Sequence, residues 1–267
     1  MNFIHPLVQG WAYLFTFVIL GIFLRAWSLR QPMPSYPSNA ITSFDFLFAS
    51  LAFVVAGAVQ VFLVPWCLEN LRHWTVMSAW WQRTLAEWGT ISRVIVYLLV
   101  TDLLGYWVHR FMHSRWAWRI HAFHHAIPAL HWVSGIRGSP WHIVLILLPG
   151  AVVSGLLFIP ENPWAFGVVM VWDVASQHLN HSNLRLPFVD KLEWVIVTPR
   201  MHFLHHSQDP RLGACNFGFY FSWCDRIFNT YVDAGKVTDP SALTLGLSTE
   251  YTTSSLWWGA HLVEKAH

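Results

Sequence analysis

The chain has 267 residues, of which 55% are apolar, 16% aromatic and only 11% charged. Soluble domains carry roughly 25% charged residues, so this chain has too little polar surface to coat a soluble globule and reads as an integral membrane protein. A net charge of +2 without a long basic run argues against nucleic-acid binding. Three cysteines without CxxC spacing indicate neither a disulfide framework nor a thiolate metal site.

In chain order, Trp11 to Leu29 is the first apolar run long enough to span a hydrocarbon core. No basic residue precedes it and no small-residue cleavage site follows, which argues against a signal peptide. A loop rich in proline and serine, QPMPSYPSN at 31–39, leads to a second span from about Phe44 to Leu68. Glu69 to Ser92 intersperses Trp74, Trp80, Trp81 and Trp88 with polar groups, the pattern of an interfacial amphipathic helix. A third span, Ile91 to Val108, is followed by Trp141 to Ile159 and a shorter run, Pro163 to Ala175. With Pro160 and Pro163 at their junction, the last two form either a full hairpin or a re-entrant one. From Asn183 the chain is more polar and reads as membrane-peripheral. The expected fold is an all-α integral membrane bundle of about four or five membrane helices, folded as one domain over 1–267. Residues 1–94 supply N-terminal membrane helices and the interfacial segment, 95–232 the histidine-rich core, and 233–267 a C-terminal tail.

Basic residues orient the bundle. If the first span exits to the cytoplasm and the next ones alternate, only Arg72, Arg83 and Arg93 of the sixteen Lys and Arg residues lie outside. The other thirteen are cytoplasmic, in agreement with the positive-inside rule. The histidine clusters then share the cytoplasmic side.

Ten of the sixteen histidines fall in four places. His109 and His113 lie four apart at the end of the third span. His121, His124 and His125 follow as HAFHH, His178 and His181 as HLNH, and His202, His205 and His206 as HFLHH. Spacings of three and four put such residues on one helix face, and neutral imidazole is the commonest side-chain metal ligand. One HxxH alone is weak evidence. Two HxxHH motifs beside an HxxxH predict a polyhistidine metal site, binuclear in this reading. A site built from imidazole without thiolates disfavours a structural zinc finger, and it differs from the soluble di-iron bundles, whose ligands are mostly glutamates with Glu-x-x-His pairs. Neutral donors leave the metal charge uncompensated, which suits dioxygen-derived anions or hydroxide. Two chemistries fit: a di-iron oxygenase attacking a lipid C–H bond, and a dizinc site activating water for hydrolysis. A histidine-rich metal-binding protein without catalysis is the bland alternative.

The runs DLLGYWVHRFMHSRWAWRIHAFHH, HSNLRLP, VTPRMHFLHHS and NFGFYFSWCDRIFNTY resemble the fatty acid hydroxylase/sterol desaturase superfamily over roughly 95–232. The resemblance implies a membrane-embedded non-haem enzyme with two iron ions, in place of which zinc can bind on purification. It implies a helical bundle with a cytosolic helical cap carrying the dimetal site. It also implies dioxygen as co-substrate and electrons from a partner, used to hydroxylate or desaturate a lipid; hydroxylation is the expected outcome. Metal ligation is carried to His109, His113, His121, His124, His125, His181, His202, His205 and His206; His178 joins them on its helical spacing from His181. No haem, flavin or ferredoxin motif is present, so the electron donor is expected to be a separate protein. The expected location is a bacterial inner membrane, with the endoplasmic reticulum as alternative.

The chain departs from the family pattern at several places. Ala126-Ile127 stands where Ser-Ser is frequent, Ser139 and His142 replace a histidine and a glutamate, and Cys224 and Asn229 stand for tryptophan and glycine. His142 is read as an extra ligand, a group behind the ligands, or a histidine at the membrane interface. Asp102, two turns before His109, is expected to accept the free ring N–H of a ligand, and Asp173 the same with less force. Asn216 and the Asp225-Arg226 pair are expected to brace the cap, the latter as a salt bridge.

Overall fold

A computed structural model describes residues 6–30, 43–59, 62, 65–66, 70, 78–157, 159, 162–209, 212–237 and 243–247. The 31–39 loop, most of the second span beyond residue 59, Trp74, Pro160 and most of the C-terminal tail lie outside the described residues.

The protein is all-helical; among the described residues β pairing is confined to two isolated bridges, Ile196 with Phe221 and Ser207 with Leu245. Helix α1 is Pro6–Arg30 and α2 is Ser43–Ala58. Then come α3, Ser78–Glu87, and α4, Thr90–Met112. After α5, Trp118–His125, a 3-10 turn at Trp132–Ile136 precedes α6, Pro140–Leu156, and α7, Pro163–Asn180. Short helices α8, Val189–Leu192, α9, Pro199–His205, and α10, Trp223–Ile227, complete the site, followed by a 3-10 turn at Ala234–Lys236.

Three of these helices begin with the same local chemistry. Ser139, Asn162 and Thr198 cap α6, α7 and α9 with side-chain oxygens that accept first-turn amides, and proline follows each at the first helical position. The cap satisfies amides that the helix leaves free, and proline lacks the N–H that would have been idle. These starts are legible in the sequence. The ends are less so: α4 runs past Val108 to Met112, and α7 continues beyond Ala175 to Asn180. The added residues carry His109, His178 and Asn180, whose side chains find partners inside the protein.

Helices α1 and α4 are long and apolar enough to cross a membrane, and Phe46–Ala58 of α2 and Pro140–Leu156 of α6 are shorter apolar helices. Their outward faces expose Phe15, Ile22, Val54, Ile95 and Leu99, whereas Asp102, His109 and His142 are buried. That inverts the soluble pattern of polar exterior and apolar core. Helix α4 packs on α6 and α7, α1 on α7, and α2 on α6. A core of Leu85, Tyr97, Val153, Leu157, Phe166 and Val169 fills one end. Where sequence patterning predicts an interfacial segment, α3 is tied to the end of α6 by Trp81 Nε1, which donates to the Leu156 carbonyl at 2.8 Å.

Residues 215–231 close the opposite end. Asp225 accepts the Phe217 and Gly218 amides at 2.7 and 2.8 Å and the Thr230 hydroxyl at 2.7 Å. A Cβ on Gly218 would sit 2.7 Å from the Phe221 carbonyl oxygen, so only glycine fits there. Asn216, at φ 52, accepts the Val232 amide and donates to the Val232 and Met201 carbonyls. Asn229, at the position where the resemblance leads one to expect glycine, has φ 57; asparagine is among the few L residues that tolerate this region. The predicted Asp225-Arg226 salt bridge is not formed. Adjacent helical residues point in different directions, and the Arg226 guanidinium lies 4.0 and 3.8 Å from the centroids of the Trp194 and Tyr231 rings. Asp225→Ala, which orphans two buried amides, should lower unfolding stability by about 3 kcal/mol, with Asp225→Asn milder, as thermal unfolding of the detergent-purified protein would show.

Candidate metal centre

Four helices deliver their C-terminal ends to one place. His109 lies in the last turn of α4 and His113 caps it; His121, His124 and His125 occupy α5; His181 caps α7; His202 and His205 lie on α9 and His206 caps it. Helix C-termini carry partial negative charge and favour cations.

The rings sort into two groups. His109, His113, His121, His125 and His205 form one, and His124, His181, His202 and His206 the other; within each, one nitrogen per ring lies within 4.8 Å of the rest. In the second group His124 Nε2 is 3.2 Å from His181 Nε2, which is 2.8 Å from His202 Nε2, itself 3.1 Å from His206 Nε2. In the first, His113 and His205 approach Nε2 to Nε2 at 3.2 Å, and His121 and His125 at 3.1 Å. The groups abut: the His125 and His206 rings stack with centroids 4.2 Å apart.

Tautomers follow from the other ring nitrogen. His109 Nδ1 faces the Phe217 carbonyl, His205 Nδ1 that of Cys215, His124 Nδ1 that of Arg137 and His181 Nδ1 that of Gln177, at 2.8–3.0 Å. A carbonyl only accepts, so each Nδ1 holds the proton and each Nε2 is left with a lone pair. His124 and His181 therefore meet lone pair to lone pair. That contact is repulsive unless a cation lies between, and separations near 3 Å are those of nitrogens at right angles around a metal about 2.1 Å from each. The donor set fits a metal pair. Burial, reinforced by neighbouring imidazoles, holds His121, His125, His202 and His206 well below the usual histidine range and pushes His181 down to about 3, so the lone pairs are kept free.

Of the ten predicted ligands, nine are brought together. His178 is not: its Nδ1 faces the Trp132 carbonyl at 3.1 Å and its Nε2 the Phe17 carbonyl at 2.9 Å. Helical spacing puts His178 and His181 near one another, but α7 ends between them and the chain turns away, so His178 joins α1 to the 3-10 turn instead. His142 lies outside both groups, with Nδ1 2.9 Å from His121 Nδ1 and its ring stacked on His121 and His124. It takes for His121 the place that a carbonyl takes for its neighbours. Ser139 ties α5 to α6 by donating to the Ile120 carbonyl while capping His142.

Asp102 also departs from expectation. It touches no histidine; Oδ1 accepts the Tyr220 and Phe221 amides at 2.7 and 3.0 Å, and Cys224 Sγ lies 3.8 Å from Oδ2. A buried carboxylate is better satisfied by two fixed amides than by one ring N–H, and here they come from the loop that carries the Cys215 and Phe217 carbonyls. Asp173 likewise bonds three tyrosines and no histidine. Sequence reasoning missed the four orienting carbonyls, which every residue type carries alike. Gly135 is a further omission: a Cβ there would meet the Gln177 oxygen at 3.0 Å and His181 Nδ1 at 3.1 Å, at the bond that orients His181.

An apolar cavity of about 160 Å³ lies between α1, α2, α4, α6 and α7. It shares Gly135, Ile146, Gln177 and Phe219 with a space of about 30 Å³ among the histidines.

The model of one protein family, described as fatty acid hydroxylase, matches residues 94–230, just over half of the chain. A methylsterol monooxygenase of Arabidopsis thaliana is 29% identical over 191 residues, 67% of this chain and 60% of its own. A Delta(7)-sterol 5(6)-desaturase of Gibberella zeae is 26% identical over 200 residues, 71% of this chain and 56% of its own. An ornithine lipid hydroxylase of Rhizobium tropici is 26% identical over 167 residues, 61% of this chain and 47% of its own. The chain thus spans about half the length of the curated relatives it matches. No solved structure matches it.

Two outcomes are expected. Metal analysis should find His181→Ala short of one of two metal ions per chain, whereas His178→Ala keeps both. In metal-stripped protein the unfolded imidazoles take up protons near pH 6.5 and the buried folded ones do not, so protonation favours unfolding. Stability should be full above about pH 6.5 and fall as pH drops towards about 3, where His181 titrates; unfolding temperatures across that range check it.

Proposed function

The chain belongs to the fatty acid hydroxylase family, and from that premise we propose that it is a membrane-bound lipid oxidoreductase with a di-iron site. In this reading it uses dioxygen and electrons from a separate protein to hydroxylate a lipid C–H bond. The observation that carries the proposal is the inward-facing set of Nε2 lone pairs, free of thiolate and carboxylate, beside an apolar cavity. Bound to these nitrogens, two irons would supply the redox chemistry by which dioxygen attacks an unactivated C–H bond.

The chain's own groups prepare the site. His109, His124, His181 and His205 hold their protons on Nδ1 against carbonyls, which keeps each Nε2 turned inward. A metal ligand whose other nitrogen is so bonded is fixed in tautomer and orientation. Phe219 and Ile146 border both the cavity and the histidine space, so the approach to the site is apolar and sheds water. Of the carboxylates nearest the loop, Asp102 and Asp225 are occupied by main-chain amides, so neither serves as a general base for hydrolysis. That favours the redox reading over a zinc hydrolase. We read α1, α2, α4, α6 and α7 as the membrane bundle, and the segments that follow α4 and α7 as its cytosolic cap. The basic residues Arg110, Arg115 and Arg119 accord with that side.

Protein from iron-supplemented, zinc-poor medium should hold about two irons per chain, one for each group of nitrogens. With extracted lipids, reductant and labelled dioxygen it should place label in a lipid product. An unlabelled, dioxygen-dependent unsaturated product would replace hydroxylation by desaturation. Stable zinc, with no dioxygen-dependent product after iron reconstitution, would overturn the proposal.

A further inference from the structure

Asp173 and Gln177 lie one four-residue step apart on one face of α7, and His181, four residues further on, caps the helix with its amide on the Gln177 carbonyl. The first two line the apolar cavity and the third belongs to the second histidine group. Around Asp173 stand three phenols. Tyr220 donates to Oδ1 at 2.5 Å, and Tyr97 and Tyr13 to Oδ2 at 3.0 and 3.3 Å. All four residues line the cavity, and among the described residues no lysine or arginine does. A carboxylate among apolar helices is costly and marks a functional position by default. Nothing in the chemistry of the histidines uses it.

The hydrogen-bond inventory says what this end of the cavity accepts. Each phenol has one proton, and all three are given to Asp173. What is left towards the cavity is lone pairs, on Asp173 and on the phenolic oxygens. Such a surface takes a hydrogen-bond donor and repels an anion. Thr101, one turn after Tyr97 and also in the cavity wall, has a buried hydroxyl without a partner among the described residues, which offers a polar guest a second contact.

Resting on the reading of the site as a lipid oxidoreductase, the geometry points to a substrate whose polar end is an uncharged or cationic hydrogen-bond donor, an alcohol or an amine, seated against Asp173. Its apolar body runs along α7 to the histidines. Lipids that present a carboxylate or phosphate at that end are rejected. Eight residues at about 1.5 Å each separate Asp173 from His181, so the oxidised carbon lies about 12 Å from the donor.

Equilibrium binding of radiolabelled hexadecanol, hexadecylamine and palmitate to the detergent-purified full chain tests this without turnover. The alcohol or the amine should bind at least about tenfold tighter than palmitate, and the better of the two identifies the donor. Asp173→Asn removes the negative charge and should shrink that preference to within about threefold; Tyr97→Phe keeps the carboxylate and should preserve it. Palmitate binding as tightly as both donors, or a folded Asp173→Asn with unchanged ranking, would overturn the assignment and leave the tyrosines as a brace between helices. Should Asp173→Asn fail to fold, the ranking by the unaltered chain decides. Donor preference without a dioxygen-dependent product would sink the oxidoreductase reading alone; tight palmitate binding with a labelled product would sink only this one.

Discussion

Nine imidazoles turned towards one another is an arrangement that no metal-free protein interior would favour. Their lone pairs repel, burial forbids the protons that would relieve the repulsion, and no carboxylate stands among them to help. The arrangement is one that could hold metal cations. Much else accords with that. Four helix C-termini aim partial negative charge at the site, and carbonyls outside the clusters accept hydrogen bonds from ring Nδ1–H groups, so that the inner nitrogens keep bare lone pairs. A metal bound there would offset the cost of assembling the nitrogens and would couple loading to folding.

The carboxylates belong to a second layer. Asp102 on α4 and Asp225 on α10 reach no histidine, yet both grip the loop from which the Phe217 and Cys215 carbonyls project towards His109 and His205. Each works by satisfying paired amides, which fixes the loop more tightly than one hydrogen bond would. Cys224, where relatives of the family pattern carry tryptophan, is fully buried against this layer, packed with Tyr106 and Phe217.

The cavity has two unlike neighbourhoods. Part of its wall also borders the histidine space, another part is a carboxylate ringed by phenols, and small residues such as Ala52, Gly150 and Ala151 complete the lining. Since α7 contributes to both, its rigidity sets the distance between them. Any lipid that fills the cavity meets a polarity pattern along its length as well as a shape.

Much of this was legible in the sequence. The HxxHH spacings, the low charge and the capping residue followed by proline are local features, and local features survive without knowledge of the fold because helix geometry alone converts them into faces and starts. The histidine clusters and the helical class could be read that way, whereas the family came from the resemblance of longer motifs. Partition of the donors into groups of five and four could not, since His124 and His125 are neighbours in sequence yet belong to different groups. Nor could the exclusion of His178, which shares its helix face with His181 but lies where α1 and the 3-10 turn supply carbonyls. The orienting carbonyls carry no residue signature at all, and Asp173 acquires its character only when Tyr13, Tyr97 and Tyr220 arrive from three other segments. The sequence by itself determined which atoms can bind metal; only the tertiary structure decided which of them meet, because that depends on helices approaching across long stretches of chain.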